Sequence, residues 1–153
     1  MKKLFLLCLL LATISMTAQR RGKLKNTYEK NGNIGIGTKS PDQLLTVKGK
    51  IHTQEVIVDL KGAVAPDYVF DHYFEGESIL KSDYSMMTLL DLAIFIEKYH
   101  HLPGIPSAEE IKEDGLALKE MNLLLLEKVE ELTLYVLQQQ KEINVLKELI
   151  SKD

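Results

Sequence analysis

The apolar positions of this chain change period several times. Leu4 to Ile14 form an apolar run. Between residues 33 and 60, "LLTVKGKI" and "EVIVDL" carry Val, Ile and Leu without helical spacing, with Gly49 and Lys50 between them, and predict strands. Residues 65–87 are less regular: "DYVF" reads as a short strand and "HYFEGES" as a turn. From Thr88 the period becomes helical, with Leu89, Leu92, Ile96 and Tyr99 recurring on one face. Thr88 with Asp91 resembles a capping box at the start of that helix. "HLPGIP" ends it, since Pro103 and Pro106 lack amide hydrogens. Ser107 with Glu110 is a fuller capping box, and Gly115 is placed to close the short helix it opens.

From Leu116 to Ser151 there is neither Gly nor Pro. Apolar residues alternate in steps of three and four, the spacing of a coiled coil. Asn122, Val129, Val136, Ile143 and Ile150 take position a; Leu118, Leu125, Leu132, Gln139 and Leu146 take position d. One such helix cannot bury its own stripe, and no second helix of matching length is predicted, so the expected partner is another copy. Branched residues at a with Leu at d favour two strands. Leu126 at e and Tyr135 and Leu149 at g widen the stripe, which suits three or more. The pattern leaves the number open. Asn122 and Gln139 would fix register, and Glu142 can pair with Lys147 of a parallel neighbour. Glu131, at c, is expected to face solvent.

The N-terminus has the layout of a secretory signal peptide: Lys2 and Lys3, the apolar run, then small residues up to Ala18. Met16 and the basic cluster Arg20, Arg21, Lys23 and Lys25 are unfavourable to this reading, and Cys8 lies too early for a lipid-modified N-terminus. The apolar run is shorter than the about 20 residues that span a bilayer, so no permanent anchor is expected. Cutting after Ala18 removes Lys2 and Lys3, leaving 17 basic against 22 acidic residues, a charge of −5. That argues against nucleic-acid binding, which needs a basic face. The cut also removes Cys8, the only cysteine, and with it any disulfide or thiolate metal site. Export is therefore expected, to the periplasm, the outer surface or the medium. Residues 19–30 show no apolar period and read as a flexible basic arm.

"NGNIGIGTKSP" has the glycine spacing of a phosphate-binding loop, with Thr38 where the lysine belongs. Pro41 follows, so no helix with free amides opens at once. Its glycines are expected to serve close packing. His100 and His101 are adjacent and would not share a helix face, so no metal is expected there. No G-x-S-x-G surrounds Ser82, and its place before a helix explains Ser82 and Asp83. No cofactor is expected. The early polar face of the long helix, with Glu120, Glu127, Glu130 and Glu131, would be repelled by anionic lipid.

Several segments together resemble a family. "NIGIGTKSPDQLLTVKGKI" is similar to the repeat of phage-type tail fibres and related surface proteins of Bacteroidetes-like bacteria. "APDYVF", "DLAIFIEKYHHLPGIPSAEEIKEDG" and "EMNLLLLEKVEELTLYVLQQQKEI" resemble the C-terminal module of those proteins. The resemblance implies a fibrous homotrimer of interwoven β-structure ending in a coiled coil, with a larger fibre or a surface glycan as further partners. It implies no enzyme. The alternative is a self-cleaving trimerisation domain of the endosialidase-type intramolecular chaperone kind. Ser82–Asp83 matches it superficially, within a different surrounding pattern.

The expected fold class is α+β, in an obligate oligomer. Residues 1–18 are the signal peptide, 19–30 the arm and 31–66 a β-rich fibre-like repeat. Residues 67–115 form a small helical or irregular adaptor, and 116–153 the coiled coil. Read so, the chain is a near-minimal stub of a fibre. In a three-chain axis, Gly35 and Gly37 would leave room where a side chain would not fit.

Overall fold

The computed structural model describes residues 24–152. The signal-peptide reading of 1–18, and residues 19–23 of the arm, lie outside the described residues. The fold is α+β, and the chain divides into two compact units that meet in sequence at Val56 and Ile57.

The first unit is a three-stranded sheet in the order β1 (Thr27–Lys30), β2 (Asn33–Ile36), β3 (Leu45–Val47). Lys30 pairs with Asn33, leaving Asn31 and Gly32 as a two-residue hairpin turn. Both have positive φ, 54° and 82°. This is the backbone of a type I′ turn, which Asn-Gly adopts at least cost. β1 therefore lies inside the segment read as a flexible arm. Its sequence has no hydrophobic pattern; the turn and the ladder to β2 specify it. β3 joins β2 in parallel, Ile34 opposite Leu45 and Ile36 opposite Val47. The Thr46 hydroxyl donates to Asp42 Oδ1 at 2.8 Å and accepts the amides of Asp42 and Gln43 at 3.2 and 3.1 Å. That hydroxyl holds the exposed Asp42 carboxyl below its usual value.

Two expectations fail in this region. β-structure ends at Val47, and "EVIVDL" forms no strand. Ile57 is 92% exposed, with Val56 and Val58 also open to solvent. Strand propensity is expressed only against a paired neighbour, and this segment has none among the described residues. The glycines have an intrachain explanation. A Cβ on Gly35 would lie 2.3 Å from the Thr38 carbonyl oxygen, and one on Gly37 2.9 Å from that of Lys48. Convergence of three chains is not needed to account for them.

The second unit contains four helices: α1 (Tyr68–Glu75), α2 (Leu89–Tyr99), α3 (Ala108–Asp114) and α4 (Leu118–Ile150). "DYVF" and the start of "HYFEGES" are helical, which corrects both local readings. Val69 is 1% exposed and joins Tyr68, Tyr84 and Leu134 in the core, with Phe70 and Met86 packed beside it. Burying Val69 and Leu134 contributes about 1.5–3 kcal/mol each, more than the difference between strand and helix propensity. Thr88 Oγ1 accepts the Asp91 amide at 3.1 Å, and Ser107 with Glu110 forms the full capping box. His100 ends α2 in the left-handed conformation, its amide donating to the Ile96 carbonyl at 2.9 Å. Neither α2 nor α3 contains a buried residue.

Candidate functional site

α4 is 33 residues long, about 50 Å at 1.5 Å per residue. Its heptad stripe faces outward. Leu118, Leu125, Val129, Leu132, Val136, Ile143, Leu146 and Ile150 are all exposed, Leu132 at 60%. Asn122 and Gln139 are exposed on the same stripe. Beside the stripe, Leu92 and Leu102 border an apolar groove of about 230 Å³ whose other wall includes Leu125, Val129, Leu132 and Tyr135.

The side of α4 covered by its own chain is the charged one. Its buried residues are Glu127, Glu130, Leu134 and Tyr135. Glu127 is gripped from three directions. The Tyr68 hydroxyl donates to its Oε2, Lys81 Nζ lies 3.4 Å from the same oxygen, and Lys128 Nζ lies 2.9 Å from Oε1. Lys128 also reaches both oxygens of Glu131 at 2.9 Å, and the Tyr84 hydroxyl donates to Glu131 Oε1 at 3.0 Å. Lys81 lies over the Tyr68 ring, 4.8 Å from its centroid. The Tyr135 hydroxyl donates to the Met87 carbonyl at 2.6 Å.

This overturns two expectations. Glu131 does not face solvent: its side chain is 13% exposed and hydrogen-bonded within the chain. Tyr135 does not widen the stripe, because its own chain has buried it. Heptad letters assign faces relative to the stripe and carry no information about what an irregular adaptor covers.

The titration shifts follow from the packing. Burial raises Tyr68 and Tyr84, and the neighbouring Glu127 and Glu131 carboxylates raise them further, so both hydroxyls stay protonated donors. Burial alone would raise Glu127; bonds from Tyr68 and Lys128 outweigh it and hold the carboxyl below its usual value. Burial would lower Lys128, and its bonds to Glu131 and Glu127 outweigh that and raise it. Glu130 differs: its Oε2 is buried without a hydrogen-bond partner. Burial, then the charges of Asp67 and Glu127, push its carboxyl above the usual range.

Ser82 and Asp83 form an exposed turn, closed by the Tyr84 amide donating to the Lys81 carbonyl at 3.1 Å. The His101 ring stands edge-on to Phe95, centroids 5.6 Å apart. Among the described residues no group of three or more His, Cys, Asp or Glu is arranged to hold a metal ion. Among the same residues no helix is long and apolar enough to cross a membrane.

Comparison of the chain with protein-family models, curated proteins and solved structures finds no match.

The exposed stripe was legible from residue spacing. The buried network was not. Its single sequence signal is an acidic cluster on one helix face, the ordinary appearance of a solvated surface.

Proposed function

We propose that this chain is an exported, non-enzymatic structural or adhesive fibre-like protein whose copies assemble through α4, as trimers. One observation carries the reading. The apolar stripe of α4 is left open while the opposite, charged face is covered. A helix that only needed to dock on its own chain would turn its leucines toward that chain, because apolar burial is the larger gain.

Leu126 and Leu149 remain exposed at e and g, which favours three strands over two, as does the family resemblance.

Light scattering on the full chain tests this. Three times the chain mass is expected. A monomer at micromolar concentration overturns the reading, and a dimer retains the coiled coil while removing the trimer. A mass spectrum of the exported protein separates the self-cleaving alternative, which requires a cut near Ser82. Finding the intact leader on cytoplasmic protein alone would refute export.

A further inference from the structure

Residues 51–60, between β3 and α1, carry strand-forming side chains without a strand. The amides of Ile57, Val58 and Leu60 have no hydrogen-bond partner among the described residues, and that of Val56 is held only by the Glu55 side chain. Ile57 is 92% exposed. An apolar Val-Ile-Val run of this kind is stable in water only once its backbone joins a sheet.

The sheet of the first unit has a matching vacancy. β3 is terminal in the strand order. It meets β2 through the Leu44 carbonyl, which accepts the Ile34 amide at 2.8 Å, and the Lys48 amide, which donates to the Ile36 carbonyl at 2.9 Å. Backbone groups alternate in direction along a strand, so those of Leu45 and Val47 point to the opposite edge. Among the described residues that edge carries no strand. Leu45 is exposed, and Lys48 and Lys50 follow β3. The unpaired segment is flanked by acids, Glu55 and Asp59. An open edge with basic residues and an extended run with acidic ones are complementary in hydrogen bonding and in charge.

We propose that Glu55–Leu60 of one copy adds as a strand to the outer edge of β3 in a neighbouring copy. This rests on self-association through α4, which supplies the neighbour at high effective concentration. Among the described residues both edge and segment stand unpaired. Exchanged between copies, they convert open backbone into interchain ladder, the mode by which extended segments extend a sheet. The assembly is then held at two places, a coiled coil and a shared sheet.

The test is hydrogen exchange on the full chain, in its assembled state and in Leu132→Asp, which places a charge on the stripe. Far-UV circular dichroism establishes that the variant keeps its helices. Amides 56–60, with those of Leu45 and Val47, should exchange at least about tenfold more slowly in the assembly. Ile57→Pro is the second probe. It removes one donor from a residue that is 92% exposed in the single chain, and should raise the concentration for half-dissociation at least about tenfold. An assembled protein whose residues 56–60 exchange freely, and which tolerates Ile57→Pro, overturns this inference and leaves the α4 reading standing. Equal protection in Leu132→Asp means pairing within one chain and also overturns it. A wild-type chain that stays monomeric overturns both.

Discussion

The two faces of α4 invert the usual rule for a helix in a folded chain. One face is rich in glutamate and lies buried against α1 and Tyr84, with Glu127 and Glu130 each 6% exposed. The other is rich in leucine, valine and isoleucine and lies open, with Leu132 at 60%. The buried face works because nearly every charge on it is answered: Lys128 serves two carboxylates, Tyr68 and Tyr84 donate to them, and Lys81 completes the ring. Such a network is directional. It fixes how α1 and the Tyr84 segment sit on α4, whereas apolar contact alone would allow sliding. The apolar face is thereby left open.

Substitutions can break this contrast, and the largest effect belongs to the open face. Leu132→Ala should cost about 2–5 kcal/mol in each copy once the stripe is packed. Melting temperature should fall and depend strongly on protein concentration, read by calorimetry across a dilution series. A melting point unchanged by dilution would remove Leu132 from the interface.

On the closed face, Glu127→Ala leaves the Tyr68 hydroxyl buried without its acceptor and leaves Lys128 with Glu131 alone. A loss of about 1–3 kcal/mol in urea unfolding is expected. Glu131→Ala sharpens the same point. A solvent-facing heptad position would tolerate it within about 0.5 kcal/mol. The observed bonds to Tyr84 and Lys128 predict a cost of about 1–3 kcal/mol instead. Tyr135→Phe should cost about 1 kcal/mol by leaving the Met87 carbonyl without its donor, and should leave the oligomeric state unaltered.

The smallest effect is a pH dependence. The folded state raises the Glu130 carboxyl, so it holds this proton more tightly than the unfolded chain does. Stability from Glu130 is complete below the ordinary glutamate value of 4.5 and is lost as pH rises through the folded-state value. Glu127 is lowered, so its contribution is present above 4.5 and is lost as pH falls through its folded-state value. Acidification from neutrality should first stabilise the α1–α4 junction and then weaken it. Glu130→Gln should abolish the first limb and raise stability at neutral pH. Thermal melts across a pH series check this, and an unaltered first limb in the variant would sink it.

The sequence by itself determined whatever is written in local spacing. The α+β order, the caps at Thr88 and Ser107, the corner after Tyr99 and the stripe from Leu118 to Ile150 needed only residues within a few turns of one another. Tertiary structure decided the rest. "TYEK" became a strand because a type I′ turn folded it onto β2, and "EVIVDL" did not because no partner strand lies beside it among the described residues. "DYVF" became a helix because Val69 gained more by packing on Leu134 than its branched side chain lost in α1. The fate of the glutamates was the least legible. A carboxylate is stable in water or against an ammonium and a phenol, and its own position does not say which. The partners of Glu127 at Tyr68 and Lys81 are 59 and 46 residues away. Only the fold brings them within hydrogen-bond reach.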